Sequence, residues 1–188
     1  MLYVLFYTLL RNKVRKNKTI FLLIGPKGSG KSFIGTLFEK HFNVHFVRVE
    51  DWAKEVKKKR NIENETYVQE VFIAIEEGIK RALDDRDALV FESTGLTEHF
   101  DRMLANLKAA FHIVLIKIEA PLEICLTRVR TRDPSIHIDV SDNQVNKINE
   151  LVRQKDWEFD FVMENSNATA EELRSQIEEI LKSTALYK

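Results

Sequence analysis

The chain has 188 residues, 44% of them hydrophobic and 31% charged, with 29 basic side chains balanced by 29 acidic ones. Zero formal charge argues against a strongly basic nucleic-acid binder and an acidic tail protein. The apolar fraction, with 12 Phe, is too high for disorder and sufficient for the core of one domain. Cys125 is the single cysteine, which excludes an internal disulfide framework and any cysteine-only metal site, and fits a reducing, cytoplasmic compartment.

Met1–Leu10 (MLYVLFYTLL) is apolar apart from Thr8, and Arg11, Lys13, Arg15, Lys16 and Lys18 follow it. A secretory signal carries its positive charge before the apolar run, and a spanning helix needs about 20 apolar residues. Residues 1–18 therefore read as a peripheral leader, and no transmembrane span is expected. An extra element packed on the domain and a shallow membrane-surface anchor are the alternatives. The other 170 residues hold 24 basic and 29 acidic groups, a net charge of −5, so basic surface is local.

From Thr19 onward, short β-branched or aromatic runs alternate with stretches of helical spacing. The strand candidates are Thr19–Ile24, Val44–Val49, Ala88–Phe91, His112–Ile118 and Phe159–Met163. Most are nearly continuous apolar runs, as expected of a parallel sheet covered on both faces. Between them, Phe33, Ile34, Leu37 and Phe38 recur at helical spacing, then Val68, Val71, Phe72, Ile75, Ile79 and Leu83, then Leu122, Cys125, Leu126 and Val129. Cys125, inside such a stripe, reads as core filling. Ser141 with Gln144 and Thr169 with Glu172 form capping boxes that open two later helices, and the last of these turns Leu173, Ile177, Ile180 and Leu181 inward. The order β-α-β-α-β-α-β-α-α-β-α predicts a single three-layer α/β domain over residues 19–184.

The first strand runs directly into Gly25-Pro26-Lys27-Gly28-Ser29-Gly30-Lys31-Ser32, which is G-x-x-x-x-G-K-[ST] without a mismatch. Glycines without a Cβ let the backbone bend closely around a phosphate. Successive N–H groups then form an anion nest, and the helix opening near Lys31 adds its N-terminal dipole. Lys31 would sit between β- and γ-phosphates, and Ser32 would offer its hydroxyl to Mg²⁺. A turn that merely joined strand to helix would have no need of the Lys-Ser pair. A nucleoside triphosphate with Mg²⁺ is thus the expected ligand.

This segment resembles the Walker A loop of P-loop NTPases, and the short chain resembles their nucleoside- and small-molecule-kinase branch. The resemblance implies a five-stranded parallel sheet of order 2-3-1-4-5 between helices, a mobile lid, and transfer of the γ-phosphoryl group of ATP to an acceptor. Such kinases commonly carry an acid at this distance from the loop lysine, and here that distance falls at the expected end of the second strand. There stand Glu50 and Asp51, of which Asp51 is slightly preferred as the carboxylate that orients an acceptor hydroxyl and takes its proton. A helix cap is the competing explanation. After the third strand, Glu92 resembles a Walker B acid for Mg²⁺, although the family more often has Asp, and Ser93, Thr94 and Gly95 follow it.

The helix Pro121–Arg132 ends in Arg128, Arg130 and Arg132. Arg128 and Arg132 share a face, whereas Arg130 points elsewhere. With the loop after Pro134 they resemble a small-kinase lid around residues 128–140, whose arginines bind phosphate oxygens through planar forks. Solvated residues that offset the helix C-terminus are the alternative. Asn165, in the loop after the fifth strand, is placed by the resemblance beside the nucleobase, though Asn is also common in turns. Lys57-Lys58-Lys59-Arg60 reads as a solvated face, with an anionic acceptor such as a nucleic-acid 5′ end as the lesser alternative.

The leading reading is therefore a phosphotransferase acting on a small metabolite or nucleoside-type hydroxyl. A nucleotide-dependent switch or ATPase acting on a protein partner, and a regulatory nucleotide binder, are the other classes. Asn146-Lys147-Ile148-Asn149 lacks the Asp of the guanine-specific N-K-x-D motif. No G-x-P-R-like segment or triple-glycine run follows strand three, so the signatures of nucleoside monophosphate kinases and shikimate kinases are both missing there.

Overall fold

The computed structural model describes residues 17–58, 65–132 and 141–184. Most of the expected leader, most of the expected lid, and the side chains of the basic run at 57–60 lie outside the described residues.

The central strand explains the architecture. In β1 (Thr19–Ile24) all six residues are buried, and side chains alternate between the two faces of a strand. Ile20, Leu22 and Ile24 enter one apolar core, and Phe21 and Leu23 enter the other. A strand without a polar face has to lie inside a sheet covered on both sides. It pairs in parallel with β3 (Ala88–Ser93) and β4 (His112–Glu119), so that Leu22 stands between Phe91 and Leu115. β2 (His45–Val47) extends the sheet from β3, and β5 (Phe161–Glu164) extends it from β4. The order is β2-β3-β1-β4-β5, as the family resemblance implied.

Seven helices flank the sheet among the described residues: α1 (Lys31–Phe42), α2 (Val49–Lys58), α3 (Glu65–Ala82), α4 (Glu98–Ala110), α5 (Leu122–Thr131), α6 (Asp142–Gln154) and α7 (Ala170–Ser183). Val71, Ile75 and Ile79 of α3 and Phe100, Met103 and Leu107 of α4 fill one core. Ile34, Leu37 and Phe38 of α1 and Leu173, Ile177 and Leu181 of α7 fill the other. Both expected capping boxes form, Ser141 with Gln144 on α6 and Thr169 with Glu172 on α7.

Two expectations are corrected. The second strand stops at Val47, and Val49–Lys58 is a helix, so two helices separate β2 from β3. Val49, Trp52, Ala53 and Val56 pack at helical spacing against the core, and Glu50 and Asp51 lie in the first turn of α2, where negative charge complements the helix dipole. Phe33 is not a core residue. It is 50% exposed, because it falls on the face of α1 turned away from the sheet.

Phe38 is fully buried and its ring centroid lies 5.3 Å from that of Phe21, so it locks α1 to the central strand. Phe38→Ala is expected to cost about 3–5 kcal/mol of unfolding free energy, measured by urea denaturation. A loss no larger than that of a surface substitution would show that α1 is held some other way.

Candidate active site

The loop from Gly25 to Gly30 connects the carboxyl end of β1 to α1. Gly28 and Gly30 have φ of 85° and 93°, a left-handed conformation that only glycine adopts without strain. A Cβ on Gly28 would strike the backbone carbonyl of Cys125, and one on Gly30 would strike the amide of Asn165. The loop is therefore tightly enclosed from outside while its concave side stays open. Burial pushes the Cys125 thiol upward, in keeping with its packing role.

Lys31, 7% exposed, donates from Nζ to the carbonyls of Gly25 and Pro26, both at 2.8 Å. Burial lowers its pKa, and the nearby Glu92 carboxylate opposes the shift. Lys27 is lowered for the same first reason, with Glu50 and Glu92 raising it and Arg132 lowering it. Ser32 Oγ donates to Glu92 Oε1 at 2.5 Å. Both oxygens belong to one small cluster at the start of α1, although Glu92 lies within β3 rather than beyond it.

A cavity of 340 Å³ is lined by Lys27, Lys31, Arg128 and Arg132 together with Glu50 and Glu92. Four cations against two carboxylates suit an anion bearing several charges. Gly28, Gly30 and Ser32 complete the phosphate side, while Ser93, Thr94, Phe72, Ile75 and Met103 supply a mixed polar and apolar wall. A larger cavity of 720 Å³ lies beside β4 and the end of α6, touching Gly25 and Pro26. It is lined by none of Lys31, Ser32, Glu92, Arg128 or Arg132, so the smaller cavity is the one with the relevant chemistry.

The sequence-derived candidates separate at this point. Gly28, Gly30, Lys27, Lys31, Ser32, Glu50, Glu92, Arg128 and Arg132 meet in one cavity. Asp51, preferred from the sequence, does not line it. Asp51 is exposed and borders a smaller recess with Arg48 and Lys54, which Ser32, Glu50 and Glu92 also reach. The reason is the helix: one residue along α2 turns a side chain about 100°, and Glu50 takes the inward position. Arg130 is engaged elsewhere, with Asp142 at 2.6 Å.

Asn165 is also placed differently from the expectation. It is 4% exposed, and its Nδ2 donates to the carbonyl of Ser29 at 2.8 Å, so the amide braces the loop instead of facing a base. Arg128 in turn donates to the carbonyls of Asn165 and Ser166 at 2.9 and 3.2 Å. Sequence reasoning missed Asn149, fully buried on α6, whose amide binds both backbone polar groups of Lys27. The available signal was a polar residue on the apolar stripe Val145–Asn149–Val152.

The loop fits a triphosphate and Mg²⁺ on its own chemistry. Gly28, Gly30, Lys31 and Ser32 border the cavity alongside Lys27, Arg128 and Arg132, a donor-rich, cationic lining that suits a polyanion. Among the described residues no group of three or more His, Cys, Asp or Glu gathers. Ser32 and Glu92, already in contact, are the groups that would hold Mg²⁺, an ion that usually takes few protein ligands.

The family model described as an AAA domain matches residues 20–154. The chain belongs to this AAA domain family. Among solved structures, shikimate kinase from Acinetobacter baumannii in complex with shikimate is similar at a TM-score of 0.63 and 18% identity, covering 94% of this chain and 99% of that one. The APS kinase of Mycobacterium tuberculosis, in complex with AMPPNP and APS, gives 0.61 and 12% identity, over 89% and 99%. A sugar kinase from Janibacter gives 0.63 and 11%, over 88% and 95%. These likenesses show the fold. No curated protein sequence matches the chain. This AAA domain protein has a kinase-like P-loop fold, and no helix among its described residues is long and apolar enough to cross a membrane.

Gly30→Ala is expected to strain the loop by about 1–3 kcal/mol and to displace Asn165, lowering the thermal midpoint and weakening ATP·Mg²⁺ binding in calorimetry. Unchanged binding would mean that the loop tolerates a Cβ at its tightest point.

Proposed function

We propose that this protein is a kinase that transfers the γ-phosphoryl group of ATP to a hydroxyl of a small acceptor. The observation that carries the reading is the single cavity holding Lys31, Ser32, Glu92, Arg128 and Arg132 together with one further carboxylate, Glu50. An ATPase also needs a group that orients its attacking water, so the apolar wall of Phe72, Ile75 and Met103 beside the acid is what favours an organic acceptor over water.

The roles follow from chemistry and position. The inward N–H groups of the loop and Lys31 hold the β- and γ-phosphates, with Lys27, Arg128 and Arg132 offsetting the remaining charge. Ser32 and Glu92 are the groups that would hold Mg²⁺, which when bound neutralises phosphate oxygens. Glu50 accepts the proton of the acceptor hydroxyl, whose oxygen forms the new bond to phosphorus as the bond to the β–γ bridging oxygen breaks. The products are a phosphate monoester and ADP. Positioning and charge stabilisation account for most of the rate in such a reaction. Ser93 and Thr94 offer hydroxyls to orient the acceptor. An acceptor screen scored by ADP release above a water-only background tests the proposal, and release stimulated only by a protein partner would overturn it.

Lys31→Ala is expected to lower kcat by about 10²–10³-fold with the fold intact by circular dichroism; unchanged turnover removes Lys31 from the mechanism. Glu50→Gln is expected to lower transfer by about 10²–10⁴-fold while ATP affinity holds, and Asp51→Asn should leave transfer near the parent rate. Steady-state kinetics with the acceptor found in the screen separates the two. Equal retention of transfer by both variants would remove the acid from the proposal.

A further inference from the structure

The glycines that let the phosphate loop curve also leave its peptides free to rotate. An anion nest works only if particular N–H groups point inward, so an outside restraint has to choose their direction. In a trans peptide unit the C=O and the following N–H point in opposite directions. Holding the carbonyl of Lys27 on the outside therefore turns the N–H of Gly28 inward, and holding that of Ser29 outside turns the N–H of Gly30 inward.

Two buried asparagines make these grips. Asn149 on α6, fully buried, donates from Nδ2 to the Lys27 carbonyl at 3.0 Å and accepts at Oδ1 from the Lys27 N–H at 2.7 Å. One side chain thus fixes both ends of that residue, as a neighbouring strand would. Asn165, after β5, donates from Nδ2 to the Ser29 carbonyl at 2.8 Å. Its own backbone is anchored by the Glu119 carbonyl at 2.7 Å and by Arg128 at its carbonyl oxygen. A buried amide is costly unless its bonds are made, so both side chains are committed to these partners.

We propose that Asn149 and Asn165 are positioning residues that hold the amides of Gly28 and Gly30 toward the phosphates, so that triphosphate affinity is set from α6 and the β5 loop. This rests on the phosphate-loop reading above. Because α5 and α6 come immediately before and after residues 133–140, the same two grips connect the phosphate loop to both helices that bracket that segment.

The test uses the full chain, with inorganic triphosphate and ATP·Mg²⁺ as probes in calorimetry. Asn149→Ala and Asn165→Ala are each expected to weaken both probes about 10- to 100-fold. They should also shift the Gly28 amide resonance in the first case and the Gly30 resonance in the second, in the ligand-free protein. Val145→Ala, one turn earlier on the same buried stripe of α6, is the matched control. It is expected to lower the thermal midpoint without changing affinity. Should Asn149→Ala fail to fold, Asn149→Asp keeps the acceptor, loses the donor and is expected to show the same weakening. If the parent chain binds triphosphate and the asparagine variants bind it as tightly as the Val145→Ala control, the positioning role is overturned and the site reading stands. If the parent chain binds neither probe, the phosphate-loop reading is overturned, and the positioning role with it.

Discussion

Backbone N–H groups aimed at a common point repel one another and give up partners that an ordinary turn would supply. A phosphate loop is therefore a conformation that the rest of the protein has to impose. Here the imposition comes from three directions. Below the loop, β1 is clamped between β3 and β4 and fixes where the loop begins. On its outer side, Asn149 and Asn165 hold the carbonyls of Lys27 and Ser29. At the far end, α1 carries the loop into a helix that Phe38 packs against the sheet. Lys31, bonded to the carbonyls of Gly25 and Pro26, closes the ring from within. Its charge is buried at a cost, which a polyanion in the cavity would offset.

The order of the strands decides what else stands near that loop. In a parallel sheet every strand ends on the same edge, and ligands bind where the connections diverge. Here β1 is central, with β3 on one side and β4 on the other. Their carboxyl ends bring Glu92 and the Ser93–Gly95 turn to one flank of the loop. The helix after β4 brings Arg128 and Arg132 to the other. The cationic side chains and the carboxylates come from segments up to about a hundred residues apart, yet they line one cavity. The acid that faces them is selected by a helical turn: Glu50 looks in and Asp51 looks out.

Most of the framework was legible from residue types. β1 was read at its observed bounds, because six consecutive buried residues leave an apolar run with sharp ends. Both capping boxes were readable since Ser141–Gln144 and Thr169–Glu172 are local, reciprocal bonds. The end of the second strand is not legible in the sequence, because Val44–Val49 looks strand-like whether or not its last residues belong to a helix. Only the packing of Trp52, Ala53 and Val56 on the core decides for the helix. The exposure of Phe33 is hidden for a related reason: helical spacing groups it with Ile34 and Leu37, while the direction of the sheet excludes it.

By itself, the sequence determined the glycine-rich loop with its Lys31-Ser32 pair and the parallel α/β plan. Those features depend on local order: glycines at fixed intervals, an apolar strand before them, a lysine and a serine after. Tertiary structure alone decided which carboxylate enters the cavity, where Arg130 goes and what Asn149 and Asn165 do. An asparagine amide carries no mark of its partner in the sequence. Its bonds to Lys27 and Ser29 span more than a hundred residues, and exist only because the sheet brings α6 and the β5 loop against the phosphate loop.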